Sequence, residues 1–447
     1  MGYPHLQRGL KGRHISLIAL GGIIGSSYFL GTGYLLHEVG PSAFIAYLLG
    51  GFISYLTLAC LGELAVSSPA QGSFINSAAK YISPSWACGV GWSYWFNWVI
   101  FVPSECIAGG LIMHNFVPSV PIYLWSIALG LIVSFTNLVA VKIFGELEFW
   151  LALTKIGILL GFCVLAIVIF TGSFHKEETI GTRYLLGNGG LFPLGVAVLF
   201  SNMVFLMSSF QGSEIIGLTA SEAVNPKKAI PSSLRKMVFR IVGLYVIPTF
   251  LLVLIYPWQE AGLQGNIFSM ALIKYGFVPY AHIFSFLIIA GTISTANSGL
   301  YATIRSLLAL CQKGMGPHLL TKINKNGVPI NATLVTLCAM WAILLICCFV
   351  PAHQLYANLL ATSGFTGTIC WISICWAELR FRKRLKEIGA SLTYKVPLFP
   401  YTTYLSIWIQ IATLVLVLFN PSLRAAFYFG VPAWLVPMLW YKKFKAE

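Results

Sequence analysis

Long apolar runs alternate with short polar connections along the whole 447-residue chain. The runs lie near residues 15–36, 39–62, 86–113, 119–139, 146–171, 192–220, 239–257, 279–304, 328–350, 354–377, 401–420 and 423–441. A helix needs about 20 apolar residues to cross the hydrocarbon core of a bilayer, and each run is about that long or longer. We therefore predict 12 transmembrane helices and number them spans one to twelve in chain order.

The connections between the spans are too short to form a separate soluble domain. Inside a bilayer each span must satisfy its own backbone hydrogen bonds, so the chain is predicted to be an all-α integral membrane protein. The predicted segments are a cytoplasmic tail 1–14, spans one to five 15–171, an extracellular loop 172–191, spans six to ten 192–380, a cytoplasmic loop 381–400, spans eleven and twelve 401–441, and a cytoplasmic tail 442–447.

The composition and the placement of charge support this topology. Only 9% of the residues are charged, against about 25% in soluble domains. The net charge of +15 is unevenly distributed, because the odd-numbered connections hold few of the 28 Lys and Arg. Those few are Lys176, Arg183, Lys274 and Arg424, and Lys155 lies within a span. The positive-inside rule therefore places both termini in the cytoplasm and explains the basic loops without a nucleic-acid partner.

Several classes of chemistry are excluded or disfavoured. All 13 acidic residues are glutamate, so no Asp dyad and no Asp-containing triad can form. The ten cysteines form no C-x-x-C pair and no His/Cys cluster at metal spacing, so we expect no metal and no cofactor. The motifs H-E-x-x-H and G-x-S-x-G are also absent, and a membrane enzyme is not expected.

Two spans carry helix-breaking residues in their interior. Span one contains "GGIIGSS" (21–27), and span six contains Ser208, Ser209, Gly212 and Ser213 beside Glu214. Spans one and six are five helices apart, so they cross the membrane in opposite senses. Interruptions at corresponding positions of two halves indicate an inverted-repeat transporter with its site at the bilayer midplane. The alternative is that the small residues only allow close helix packing.

Two helices that are broken at the middle of the membrane could together bind a zwitterion. A break exposes N–H groups on one half-helix and C=O groups on the other. An amino acid's carboxylate fits the N–H end, where the helix dipole is positive, and its ammonium group fits the carbonyls. Gly25 and Gly212 would permit unusual backbone torsions, and Ser26 and Ser27 would add hydroxyl groups. The sequence therefore predicts an amino-acid site between spans one and six.

Ionisable groups within spans are costly and therefore suggest function. Lys155 in span five is interpreted as a proton carrier, with a snorkelling amine as the alternative. Glu105 in span three is interpreted as a proton site or as a counter-charge for a cationic substrate, with a structural carboxylate as the alternative. Glu214 would either cap exposed amides or take part in coupling. Phe210 would be a gate over the site or a core residue, and Glu63 is interpreted as structural.

Longer stretches resemble a known family. They include "GLKGRHISLIALGGIIGSSYFLGTG" (9–33), "KIFGELEFWLALTKI" (142–156), "FQGSEIIGLTASEAVNPKKAIP" (210–231) and "STANSGLYATIRSLLALCQKG" (294–314), and the similarity extends to "AELRFRK" (377–383). The chain resembles the amino acid transporter branch of the amino acid–polyamine–organocation (APC) superfamily of permeases. The resemblance implies a LeuT-type fold with a 5+5 inverted repeat, broken helices one and six, two peripheral spans, and uptake of an amino acid with protons.

The resemblance also implies roles for particular residues. Ile23, Gly25 and Ser26 match the part of the broken first helix that holds the substrate's carboxylate and amine, and Ser27 stands where the family has a glycine. Lys155 matches a fifth-span lysine that links protonation to the first helix. In the broken sixth helix the matching residues are Phe210, Gln211, Gly212 and Ser213. "FQGSE" is similar to the "FQGTE" of members that carry lysine or arginine.

The sequence thus predicts a proton-coupled amino-acid permease in a bacterial inner membrane, with lysine or arginine as the favoured substrate. Its partners would be the amino acid, the proton and the lipid bilayer. Exchange, sodium coupling or a non-transporting sensor of the same fold stay open as alternatives. The sequence does not indicate an oligomeric state.

Overall fold

The computed structural model describes residues 25–67, 74–139, 144–172, 181–187, 189–214, 241–324, 329–387, 389, 392 and 394–444. Within these ranges all regular secondary structure is helical, and every predicted span contains helix. Seven helical segments of the described chain are long and apolar enough to cross a membrane. Two shorter apolar stretches of helix, Ile122–Asn137 and Val242–Ile255, fall within spans four and seven. The all-helical architecture predicted from the sequence is therefore confirmed.

The helices overlap the predicted spans, and several are longer or shorter than the apolar runs. In the first half the helices are Ser26–Phe29 and Gly31–Val39 (span one), Ala43–Ser67 (two), Phe74–Tyr81 (connection), Pro84–Phe116 (three), Ile122–Val139 (four) and Phe144–Phe170 (five). In the second half they are Thr182–Leu186 (connection), Val196–Ser201 and Met203–Met207 (six), Ile247–Ile255 (seven), Ile267–Lys274 (connection), Val278–Gln312 (eight), Ile330–Leu345 (nine), Ala352–Glu387 (ten), Tyr401–Leu416 (eleven) and Ala425–Phe444 (twelve).

Span one has a helix start in its interior. Gly25 is extended, with φ −111° and ψ −165°, and a helix begins at the next residue, Ser26. The part of the glycine-rich stretch before Gly25, with Ile23, lies outside the described residues. A helix N-terminus therefore falls at the position where the sequence predicts the break.

The helix of span six ends within the predicted apolar run. A 3₁₀ turn over Ser208–Phe210 closes the helix, and Gln211 is extended, with φ −68° and ψ 153°. Gly212 has φ +91°, in the left-handed region that favours glycine because it has no Cβ. Turns continue to Glu214, and residues 215–240 lie outside the described part. The helix of span six is thus interrupted where the sequence predicts it.

Spans three and ten lie at the centre of the bundle. The most apolar stretch of each is 89% buried, whereas that of span eleven is 28% buried. Span three packs against spans four, eight, ten and twelve. The division of the chain into repeats 15–171 and 192–380 stays a prediction.

Candidate substrate-binding site

The helix that begins in span one binds a carboxylate of this same chain. The backbone N–H of Ser26 donates to both carboxylate oxygens of Glu105, at 3.2 and 3.3 Å. Both residues are fully buried. A helix N-terminus carries a partial positive charge and free N–H groups, so it stabilises an anion. The amide that the sequence predicts for a substrate carboxylate is therefore paired with the carboxylate of span three.

Because Gly25 has no side chain, the Glu105 carboxylate can approach the start of the helix of span one closely. A Cβ built on Gly25 would lie 2.8 Å from Oε1 of Glu105, closer than real Cβ contacts, and 3.5 Å from Cγ2 of Thr295. A glycine at this position thus leaves room for the carboxylate directly beside the start of the helix.

Spans six and ten also contact the start of this helix. The Ser209 hydroxyl donates to the Ser27 carbonyl at 3.0 Å, which joins the two interrupted spans. The Tyr356 hydroxyl of span ten donates to the Ser26 hydroxyl oxygen at 3.2 Å. Sequence reasoning did not select Tyr356, because a tyrosine near a span end carries no distinguishing pattern. Ser209, in contrast, is one of the small polar residues that mark the predicted break in span six.

Lys155 reaches the same region through span eight. Its Nζ donates to the Thr295 hydroxyl oxygen at 3.2 Å, while that hydroxyl donates to the Gly291 carbonyl at 2.9 Å. Lys155 is 3% exposed, so its geometry does not match the snorkelling alternative. A Cβ on Gly291 would lie 2.5 Å from the Lys155 Cε, so this glycine makes room for the side chain. Thr295 lies between Lys155 and Gly25.

Phe210 and Gln211 turn towards neighbouring spans. The fully buried Phe210 ring lies 5.0 Å from the Tyr245 ring, and 6.2 Å from the Tyr47 ring of span two, between centroids. This environment fits the core-packing alternative. The Gln211 amide nitrogen donates to the Ser363 carbonyl at 2.8 Å, and the Ser363 hydroxyl donates to its amide oxygen at 3.1 Å.

The turn after Gln211 is held by Glu214. The Gly212 N–H donates to the two Glu214 carboxylate oxygens at 3.2 and 3.1 Å, and the Trp371 indole donates to one of them at 3.3 Å. Glu214 thus caps an exposed amide, one of its two predicted roles. The Ser213 hydroxyl is buried and has no hydrogen-bond partner among the described residues.

Only part of the predicted set forms one buried polar cluster, because Phe210, Gln211 and Gly212 contact other residues. Gly25, Ser26, Ser27 and Glu105 lie together at the start of the helix of span one, and Lys155 approaches them through Thr295. Span six joins the cluster through Ser209. The described residues contain no group of His, Cys and Glu side chains that could hold a metal ion.

A buried polar cluster between two interrupted apolar helices is the architecture of a secondary membrane transporter. The chain belongs to the amino acid permease family, whose model matches residues 14–446. It is therefore a transport protein rather than an enzyme.

Related proteins are bacterial permeases of similar length. The amino-acid permease RocC of Bacillus subtilis is 36% identical over 437 residues, which cover 96% of this chain and 92% of RocC. A putative histidine permease of the same organism is also 36% identical, over 98% of this chain and 93% of that protein. These relatives place the chain among multi-pass proteins of the bacterial plasma membrane.

A solved structure supports the fold. The crystal structure of a manganese transporter from Eremococcus coleocola, in complex with an aromatic bis-isothiourea substituted compound, superimposes with a TM-score of 0.59. The match covers 97% of this chain and 94% of that chain at 12% identity, which shows the fold alone. The fold is the LeuT-type fold that the resemblance implies.

Proposed function

We propose that the protein imports an L-amino acid together with protons by alternating access. The observation that carries the proposal is the Glu105 carboxylate on the Ser26 N–H. A substrate α-carboxylate is the same chemical group, so it would compete with Glu105 for this helix N-terminus.

This competition gives a physical basis for proton coupling. When a substrate carboxylate takes the Ser26 amide, Glu105 loses its donor inside a buried site. A buried carboxylate without a partner is strongly unfavourable, so it must gain a proton or pair with the substrate's ammonium group. Lys155, which donates to the Thr295 hydroxyl oxygen, is the second buried group of this region that can exchange a proton. Where Glu105 takes the first of these routes, proton uptake accompanies substrate binding.

We further propose that the substrate has a cationic side chain. The site holds two buried carboxylates, Glu105 and Glu214, and one buried amine, Lys155. In the case in which Glu105 stays ionised beside the substrate's ammonium group, a substrate with one net positive charge would balance the second carboxylate, and buried charges require such pairing. The likeness to a putative histidine permease agrees with a basic side chain. Once the substrate carboxylate displaces it from the Ser26 amide, Glu105 is available as the counter-charge.

Sodium coupling is the main competing mechanism. A sodium ion in the space between spans one, five and eight would need oxygen ligands, and the Lys155 amine already occupies that space. Exchange without net proton movement is the other competitor, and only transport assays separate it from symport.

The decisive experiment is uptake of radiolabelled lysine into proteoliposomes. Three driving forces are tested separately. They are an inwardly directed proton gradient, a sodium gradient, and unlabelled lysine preloaded inside the vesicles, which supports exchange. We expect accumulation with the proton gradient, and Lys155→Ala should abolish that accumulation while exchange persists. Lys274→Ala is the matched control, because this amine pairs with Glu260 at the protein surface. Full proton-driven accumulation by Lys155→Ala would refute the coupling role.

A ligand screen tests the substrate separately. A ligand that binds only the folded state stabilises it by about 2.7 kcal/mol at a concentration of 100 Kd. Thermal unfolding is measured with each of the twenty amino acids. Stabilisation by lysine and arginine alone is expected. Stabilisation by neutral amino acids instead would reject the cationic substrate and leave the permease function intact.

A further inference from the structure

A basic groove lies at the polar end of span ten, on the predicted cytoplasmic face. Its volume is about 940 Å³, and its other walls are span eleven, the connection that precedes it and the start of span three. The cations that line it are Arg380, Arg382, Lys383, Lys386 and Lys395, and the larger aromatic residues are Trp86, Trp376, Phe399, Tyr404 and Trp408. No acidic residue is among the lining side chains.

Most of this positive charge is uncompensated. Arg382 is bound by Glu63 and contacts Glu378 at 3.5 Å. The other four cations form no ion pair with any residue that the structure describes, and Arg380 lies 5.9 Å from the Trp376 ring centroid. A concave surface with several unpaired cations attracts an anion.

An apolar cleft continues from the groove along the same helices. Its volume is about 290 Å³, and it shares Trp86, Ile372 and Ile411 with the groove. The remaining lining residues belong to spans ten, eleven and twelve, and they are Phe365, Ile369, Leu414, Val415, Phe427, Val431 and Trp434. All of these side chains are apolar or aromatic, so the cleft suits a hydrocarbon chain.

We propose that this paired groove and cleft bind an anionic phospholipid. The phosphate would lie among Arg380, Lys383, Lys386 and Lys395, and one acyl chain would fill the cleft. A soluble anion would leave the apolar cleft unfilled, and a zwitterionic lipid would leave the cations unbalanced. Basic pockets between transmembrane helices bind anionic headgroups for the same reason, and tryptophan rings favour the headgroup level. The site is independent of the proposed substrate and of its coupling.

The first test measures lipid retention by native mass spectrometry. Delipidated protein is mixed in detergent with equal amounts of dioleoylphosphatidylglycerol and dioleoylphosphatidylcholine. We expect phosphatidylglycerol to be preferred. Lys383→Gln with Lys386→Gln should reduce that preference by about fivefold for each cation removed. Lys442→Gln with Lys443→Gln is the matched control, because it removes the same charge from the last turn of span twelve, outside the groove.

The second test separates a lipid from a free anion. Leu414→Trp, at a residue that lines the cleft but not the groove, should narrow the cleft and lower retention of phosphatidylglycerol, with no effect on any stabilisation by inorganic phosphate. Equal retention of the two lipids by the native chain, or unchanged preference in the double lysine variant, would overturn the proposal. So would stabilisation by inorganic phosphate that matches that of phosphatidylglycerol. Thermal unfolding of each variant checks its fold, and the exposed Lys386→Gln alone serves if the double variant unfolds.

Discussion

At the scale of single residues, the missing side chain of Gly25 decides where Glu105 lies. In Gly25→Ala the new Cβ would lie 2.8 Å from Oε1 of Glu105, and the carboxylate must leave the Ser26 amide. The same Cβ would crowd an incoming substrate carboxylate. We expect substrate affinity, measured by thermal stabilisation, to fall by more than about tenfold, since a hydrogen bond to a charged group contributes about 1.5–3 kcal/mol.

Gly157→Ala is the matched control for this change. Gly157 also lies in a transmembrane helix, and a Cβ there has nothing within 4 Å. The Gly157→Ala variant should bind substrate with the affinity of the native chain. Native affinity in Gly25→Ala would mean that the start of this helix does not hold the substrate.

Glu105 provides a second prediction at this scale. Glutamine keeps an oxygen that can accept from the Ser26 N–H, but it does not ionise. In the native chain we expect uptake to rise as the external pH falls, because binding is linked to proton uptake. In Glu105→Gln that dependence should flatten, as measured by initial uptake rates between pH 5 and 8. Glu260→Gln, on an exposed carboxylate, should keep the native profile, and a native profile in Glu105→Gln would exclude Glu105 from coupling.

At the scale of helices, a buried ionic cluster joins spans two and ten. Arg382 binds Glu63 through Nε and through Nη2, the latter at 2.6 Å from Oε2. The Val396 N–H donates to the same Glu63 oxygen at 2.7 Å, and the Thr403 hydroxyl donates to Glu378 at 3.1 Å. Both carboxylates are fully buried. The interpretation of Glu63 as structural agrees with this geometry.

The cluster makes a stability prediction. Arg382→Ala would leave two buried carboxylates without their cation, and removal of one partner of a buried ion pair costs about 3–5 kcal/mol. We expect a clear fall in the thermal unfolding temperature in detergent. Arg384→Ala, exposed in the same helix, should change it little. Adding Glu63→Gln to Arg382→Ala should restore part of the loss, and an unchanged unfolding temperature in Arg382→Ala would show that the cluster contributes nothing.

At the scale of the whole molecule, the distribution of charge predicts orientation. Both termini should lie in the cytoplasm, because the basic residues concentrate in one alternate set of connections. A green fluorescent protein fused after residue 447 should fluoresce, and alkaline phosphatase at the same place should be inactive. Alkaline phosphatase inserted in the loop 172–191 should be active. The reverse pattern would invert the predicted topology.

The bundle and its interruptions followed from local properties of the sequence. Apolar runs of membrane-spanning length are helical because only a helix satisfies its own backbone there. The breaks could be predicted because the glycines and serines at 25–27, 208, 209, 212 and 213 have low intrinsic helix propensity. The motifs then identified the family, which the family match confirmed.

The contacts of the site were decided by tertiary structure alone. The Ser26–Glu105 pair spans 79 positions, Lys155–Thr295 spans 140, and Ser27–Ser209 spans 182. Hydropathy shows which residues face away from water, but it does not show how helices rotate against one another. That rotation follows from the packing of all spans together. The sequence therefore determined which ionisable groups lie within the membrane-spanning helices. Only the packing of the bundle decided that the Glu105 carboxylate contacts the Ser26 amide at the start of the helix.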